Sequence, residues 1–230
     1  MNKKVPFHLG IIMDGNRRWA KEKKLPVLEG HRRGAKRLEE IGGMTLKKGI
    51  KILTVYAFST ENWKRSKTET NYLMQLLKQF LNAKNVKELN QKGVKLNIIG
   101  EREKLSTKLQ KRIEEVEKIT SNNTQGVLNL AVSYGGRPEI IQAIKKIIRK
   151  KISPDKIDED LINENLWTKG LPYPDLIIRT SGIKRLSNFL TWQTAYSELY
   201  FTKKYWPDFT EQELDKALAN FSLRQRRFGK

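Results

Sequence analysis

Leu9-Gly10-Ile11-Ile12-Met13-Asp14-Gly15-Asn16-Arg17-Arg18-Trp19 decides how the rest of the sequence is read. The apolar run has the length and continuity of a strand buried on both faces. It ends on a carboxylate, then a glycine, then two arginines. Such a strand tip suits a metal-bound, phosphorylated ligand. Magnesium takes one or two carboxylates together with phosphate oxygens, and arginine forks hold phosphate oxygens through charge-assisted bonds. Asp is also a favoured helix N-cap, so the residue alone fits a purely local role as well.

Working outward, residues 51–58, 94–99, 126–132 and 175–178 repeat the pattern of near-continuous apolar runs. Helical spacing lies between them. Leu73, Leu76, Leu77, Phe80 and Leu81 follow i, i+3, i+4, i+7, i+8 after a capping Thr68, and Ile140, Ile141, Ile144, Ile147 and Ile148 follow Pro138. Charged helices are predicted from Ser106 to about residue 120 and over 158–166, and a last one carries Leu214, Ala217, Leu218 and Phe221. The alternation predicts an α/β protein: a single domain over residues 1–230, with a mostly parallel central sheet of about six strands flanked by helices.

The chain has 46 basic and 25 acidic residues, a formal charge of +21. That excess points to polyanionic partners such as phosphorylated metabolites, anionic lipid or nucleic acid, or to lysine-rich solvated faces. The surface aromatics and binding modules of a nucleic-acid reader are missing, so no nucleic-acid partner is expected. There is no cysteine, which removes disulfides and thiolate metal sites and fits a cytoplasmic location. The first residues lack the apolar region of a signal peptide. No apolar run approaches the roughly 20 residues that span a bilayer. Peripheral contact at the inner face of a membrane stays compatible with the charge.

In open α/β sheets ligands bind beyond the carboxyl ends of the strands. That rule selects Asp14-Gly15-Asn16, Ser59-Thr60-Glu61-Asn62-Trp63 with Arg65, Ser133-Tyr134-Gly135-Gly136-Arg137, and Arg179-Thr180-Ser181-Gly182 with Arg185 and Ser187. These tips read as a phosphate-binding rim, and the 179–187 segment as an oxyanion cradle or a surface loop. His31 reads as a phosphate contact, a proton relay or a polar helix-start residue. With only two histidines, zinc is not expected. Glu198 is a lone acid among aromatic and apolar residues, which calls for a salt bridge or a metal. Neither dinucleotide nor P-loop glycine motifs occur, nor a nucleophile elbow.

At these residues the chain resembles the cis-prenyltransferases, the undecaprenyl diphosphate synthase family. The resemblance is carried by residues 8–20, Gly30-His31, Tyr56-Ala57-Phe58-Ser59-Thr60-Glu61-Asn62-Trp63, Tyr134-Gly135-Gly136-Arg137, Ile178-Arg179-Thr180-Ser181-Gly182, residues 185–190, residues 195–201, Trp206-Pro207-Asp208-Phe209 and Arg226-Arg227-Phe228-Gly229. It implies condensation of isopentenyl diphosphate onto an allylic diphosphate such as farnesyl diphosphate, magnesium as cofactor, a homodimer, and a hydrophobic tunnel for the chain. Asp14 and Asn62 resemble the catalytic residues. Gly15, Asn16, Arg17, Arg18, Trp19 and His31 resemble the allylic diphosphate site. Ser59, Thr60, Glu61, Trp63 and Arg65 resemble the loop over the substrate, and Arg179, Arg185 and Ser187 the isopentenyl diphosphate site. Asp14 and Glu198 resemble the metal-associated carboxylates. The helix at 73–81 is expected to line the tunnel, with Leu109, Ile113 and Ile144 as further candidates. Arg227 and Gly229 match a terminal R-x-G that is similar to an element reaching a neighbouring active site.

The sequence departs from the family at Val27, where an arginine is common, at Ser133, where asparagine or aspartate is usual, and at Ile183-Lys184, where an acid is usual. Val27 and Ile183 raise a second reading, a non-catalytic partner subunit. Asp14, Arg179, Arg185 and Glu198 are retained, and an active enzyme is expected.

Overall fold

The computed structural model describes residues 5–225. In chain order they form β1 (His8–Ile12), α1 (Asn16–Glu22), α2 (Val27–Lys47), β2 (Ile52–Ser59), α3 (Lys67–Phe80), α4 (Ala83–Gln91), β3 (Val94–Ile99), α5 (Thr107–Thr120), β4 (Gly126–Tyr134), α6 (Gly136–Arg149), α7 (Glu159–Asn165), β5 (Leu176–Arg179), β6 (Glu198–Phe201) and α8 (Glu211–Ser222). The strands make one all-parallel sheet in the order β3-β4-β2-β1-β5-β6. The chain leaves β1 toward β2 on one side and reaches β5 and β6 on the other. The strand order therefore diverges at the β1–β5 pair, where a crevice opens beyond the carboxyl ends.

Side chains alternate across the strands. Leu9 and Ile11, Leu53 and Val55, Leu96 and Ile98, and Leu128 and Leu130 join one large core with Leu38, Ile41, Leu77, Leu214 and Phe221 from the helices. On the opposite face Ile12, Ile99, Ala131 and Ile177 pack with Tyr134, Phe189 and Leu190. That face also carries a polar row. Asn97 Nδ2 donates to Asn129 Oδ1 at 2.9 Å, and Asn129 Nδ2 donates to Thr54 Oγ1 at 2.9 Å. Thr54 Oγ1 lies 2.7 Å from His8 Nε2, and His8 Nδ1 lies 2.6 Å from the Pro172 carbonyl. A carbonyl only accepts, so Nδ1 carries the proton and Nε2 accepts from Thr54.

The predicted strands and helices form where the periodicity places them, with local differences. The cap of α3 is Ser66, whose hydroxyl accepts from Glu69 N, and not Thr68. The sixth strand is β6, four residues long and half-buried. The sequence reading did not resolve α2 or α4. The buried face of α2 includes Gly30, Gly34 and Thr45 beside Leu38 and Ile41, so its apolar stripe is broken by glycine. Those glycines serve packing: a Cβ on Gly30 would stand 2.2 Å from the Asn16 carbonyl oxygen. Asn82 caps α4, its Oδ1 accepting from Asn85 N at 2.8 Å. Ile144, a candidate tunnel residue, is exposed on α6, while Ile113 is fully buried in the core.

Candidate active site

Residue pairing in the sheet builds the site. Ile12 pairs with Arg179, so the chain beyond β1 runs beside the chain beyond β5. Thr180 fastens the two. Its hydroxyl donates to the Asp14 carbonyl at 2.6 Å and accepts from Asp14 N at 2.9 Å. Gly15 then turns the chain with φ 107, a left-handed conformation that favours glycine. A Cβ there would stand 2.7 Å from the Tyr205 ring. The α1 N-cap is Gly15 with no side-chain cap bond, so Asp14 is not the helix cap. Its carboxylate lines the cleft instead.

Asp14 is held between two guanidinium groups. Arg179 Nη2 donates to Oδ2 at 2.8 Å, and Arg18 Nη2 donates to Oδ1 at 3.0 Å. Arg18 also donates to Ser181 Oγ at 2.6 Å and to the Ser181 carbonyl at 3.2 Å. Arg179 continues through Nη1 to Ser187 Oγ at 2.7 Å and to the Arg185 carbonyl. Burial pushes the Asp14 pKa up. The Arg179 hydrogen bond and charge, with Arg18 and Ser181, outweigh it and hold the carboxyl below its ordinary range. Asp14 is therefore an anion within a basic rim.

An open cleft of about 640 Å³ lies over this pair, lined by Asp14, Gly15, Asn16, Arg17, Arg18, His31, Asn62 and Arg65. Met13, Asn16, His31, Ala57 and Leu73 also border an apolar cavity that continues between α2, α3 and the sheet to Leu38, Leu77, Phe80 and Trp206. Leu38 and Phe80 in turn border a third cavity reaching Gly42, Leu46 and Gly126. A charged mouth thus opens onto apolar space on the α3 side of the sheet.

Two buried polar atoms here have no partner within the protein: Asn16 Oδ1 and Arg179 Nε. Leaving buried polar groups unpaired is costly, and such orphans mark a place for a ligand. An orphan donor suits a phosphate oxygen. The ionised Asp14 carboxylate on the cleft lining suits a hard cation or its water. The residues present thus fit one magnesium ion that takes its remaining ligands from phosphate. No cluster of three or more His, Cys, Asp or Glu side chains that could hold a metal occurs among the described residues.

The sequence model of the family described as "Putative undecaprenyl diphosphate synthase" matches residues 12–229. The chain belongs to the undecaprenyl diphosphate synthase family. It is 47% identical over 233 residues to a Legionella pneumophila protein named ditrans,polycis-undecaprenyl-diphosphate synthase ((2E,6E)-farnesyl-diphosphate specific), covering 100% of this chain and 98% of that protein. Its fold is similar to lavandulyl diphosphate synthase from Lavandula x intermedia, crystallised with dimethylallyl diphosphate: TM-score 0.93, 40% identity, 98% of this chain and 99% of that one. It also resembles the Campylobacter jejuni structure titled "a probable undecaprenyl diphosphate synthase", with TM-score 0.81, 35% identity, and 99% and 100% coverage.

Not every residue selected from the sequence faces the cleft of this family member. The Trp19 indole donates to Asp208 Oδ1 at 2.9 Å, and the Trp63 indole donates to Ser133 Oγ at 2.9 Å. Trp63 also packs edge-on against Phe58, so it anchors the turn rather than lying as an open lid. Ser59 N donates to Asn62 Oδ1 at 3.0 Å, closing a capping box around residues 60–64. Thr60 lies against Gly135, and Glu61 accepts from Asn188 Nδ2 at 3.1 Å. The Arg185 side chain is exposed while its carbonyl holds Arg179. Ser133 sits at φ 49, a conformation tolerated best by Asn, Asp and Gly, which accounts for the usual residue there. Val27, where an arginine is common, and Lys21 both line the cleft, so a lysine cation is at hand where the arginine is missing.

Glu198 is not brought to Asp14. It begins β6 level with Leu176 and Leu9, at the opposite end of the sheet from the cleft. Its Oε2 accepts from Arg224 Nη1 at 2.5 Å, the salt bridge that the sequence left open. Arg227 and Gly229 lie outside the described residues. Sequence reasoning missed Lys21, Tyr56 and Glu69. It also missed Glu139, which is buried and accepts from Tyr134, Gln193 and Thr168 behind the Arg179 loop. Pattern alone offered little signal for Glu69 or Glu139, since both sit in helices among other charged residues.

Proposed function

We propose that this chain is a magnesium-dependent cis-prenyltransferase. It adds isopentenyl diphosphate repeatedly to an allylic diphosphate, farnesyl diphosphate in the first instance, and makes a polyprenyl diphosphate of the undecaprenyl type. The observation that carries this reading is the Arg18–Asp14–Arg179 bridge at the mouth of an apolar cavity. Ionising an allylic diphosphate leaves negative charge on the diphosphate and positive charge on carbon. Arg17, Arg18 and Asn62 line the cleft and bind the leaving diphosphate, with Asn16 and His31 beside them. The free Nε of Arg179, the exposed Arg185 and Ser187 take the second diphosphate. Magnesium, when bound by Asp14 and phosphate oxygens, neutralises part of the developing charge. Leu73, Leu77 and Phe80 keep water from the growing chain. Incubation with farnesyl diphosphate, labelled isopentenyl diphosphate and magnesium, followed by butanol extraction, tests the reading. Absence of label in the organic phase, with or without a second homologous chain, sinks it.

We also propose a homodimer in the cytoplasm with peripheral contact at the inner membrane face. α6 exposes Ile141, Ile144 and Ile148 on one side, and Tyr196 is 73% exposed just before the edge strand β6. Light scattering that gives the mass of one chain at micromolar concentration rules out the dimer. No helix among the described residues is long and apolar enough to cross a membrane. The charge of +21 favours anionic lipid, and flotation indifferent to anionic lipid content removes that part.

A further inference from the structure

Glu69 is the common anion of three cleft groups. His31 Nε2 donates to its Oε1 at 2.9 Å, Arg65 Nη1 donates to the same oxygen at 2.9 Å, and Arg17 Nε stands 3.9 Å away. These partners come from α2, from the turn before α3 and from α1. All three line the cleft, whereas Glu69 does not. Its side chain is 9% exposed, against 58% for Arg17 and 28% for Arg65. It therefore holds the two arginines from behind and leaves their other N–H groups facing the cleft. An arginine has five donors, so one bond to Glu69 does not exhaust it.

We propose that Glu69 is a positioning residue that fixes Arg65 and Arg17 as a preformed cradle for the allylic diphosphate, with the His31 N–H steadying its carboxylate, and that it ties α3 to that cradle. The inference rests on the prenyl-transfer reading above and adds a residue to it. Two physical points carry it. A long, exposed guanidinium loses rotamer freedom when it binds an anion, and a fixed counter-charge removes much of that loss beforehand. Burial raises the pKa of Glu69, and the His31 bond with the Arg65 and Arg17 charges reverses this, so the carboxyl stays ionised below its ordinary range. Burial keeps His31 below its ordinary pKa despite Glu69, with Arg65 and Arg17 acting in the same direction as burial. His31 is thus a neutral donor through Nε2. Glu69 also lies in the first turn of α3, where Ser66 caps its N–H, and Leu73, Leu77 and Phe80 of the same helix wall the apolar cavity. One carboxylate thereby connects the diphosphate end of the substrate to the wall that receives its chain.

The test is Glu69→Gln, which keeps size and an acceptor for His31 but removes the charge. Calorimetric titration of the whole protein with inorganic pyrophosphate is read beside steady-state kinetics. The expected result is a pyrophosphate Kd and an allylic KM raised about tenfold, with kcat and the KM for isopentenyl diphosphate changed less than about threefold. In an Arg65→Gln background the second substitution is expected to add clearly less than in the wild type, because the one arginine hydrogen-bonded to Glu69 is already gone. Unchanged pyrophosphate binding with a lowered melting temperature overturns the proposal in favour of a structural role. So do strictly additive effects of the two substitutions. A wild-type protein that makes no prenyl product defeats the functional reading instead, and the two failures are distinguishable.

Discussion

Arg179 donates to Asp14 across the β1–β5 pair at 2.8 Å, with only 6% of its own side chain exposed. The bond joins residues 165 positions apart, and it exists because Ile12 and Arg179 are register partners. Asp14→Ala leaves a buried guanidinium without its counter-charge and removes the carboxylate proposed for magnesium. Label incorporation is expected to fall by about 10³-fold or more. The circular dichroism spectrum should stay native, since Ser187 and the Arg185 carbonyl still hold Arg179. Native-level turnover in Asp14→Ala would falsify the assignment.

Arg179 and Arg185 are expected to separate. Arg179→Lys replaces a fork that reaches Asp14, Ser187 and the Arg185 carbonyl with a single ammonium. Loss of two such bonds lowers stability by about 1–3 kcal/mol and loosens the 181–188 loop. Arg185→Ala removes an exposed side chain. Its melting temperature should match wild type while the KM for isopentenyl diphosphate rises. Equal destabilisation by both substitutions would contradict this division.

Two glycines of α2 make opposite predictions. A Cβ on Gly30 would meet the Asn16 carbonyl oxygen at 2.2 Å, and backbone cannot yield cheaply. Gly30→Ala should cost about 1–3 kcal/mol in urea unfolding and reduce activity by shifting α1. A Cβ on Gly43 would meet nothing within 4 Å. Gly43→Ala should stabilise the helix by about 0.5–1 kcal/mol. Reversed signs in the two urea midpoints would refute the packing account.

His8 makes stability acid-sensitive. Burial lowers its pKa from 6.5 to about 4, opposed by the Pro172 carbonyl bond and the Asp175 charge. The folded protein therefore binds that proton less readily than the unfolded chain. Its contribution is fully present above pH 6.5 and is lost as pH falls toward 4. The size is of order 3 kcal/mol. Urea midpoints between pH 7 and 4.5 should decline in wild type. The decline should be shallower in His8→Gln, a variant that is less stable at pH 7 because the bond to Thr54 is weakened. Parallel pH curves for the two proteins would assign the acid sensitivity elsewhere.

Short apolar runs bounded by turn residues announce themselves, so 94–99 reads off the sequence to the residue as β3. A helix whose buried face includes Gly30 and Gly34 does not, because its periodicity is in the absence of side chains rather than in apolar ones. The Asp14 and Arg179 tips were legible through the rule that ligands sit beyond strand ends. Their pairing was not, and neither was the turning of Trp19 and Trp63 toward Asp208 and Ser133. A side chain's direction depends on partners far away in the chain.

Sequence alone determined the alternation of strands and helices, the basic rim and the family resemblance, because these depend on local periodicity and on residue identity. Tertiary structure alone decided which charges meet. Strand order brought Arg179 to Asp14 and sent Glu198 to Arg224 at the other end of the sheet. Helix packing gathered Arg17, His31 and Arg65 around Glu69. Electrostatic partnership falls steeply with distance and solvent exposure, and only the folded chain fixes either.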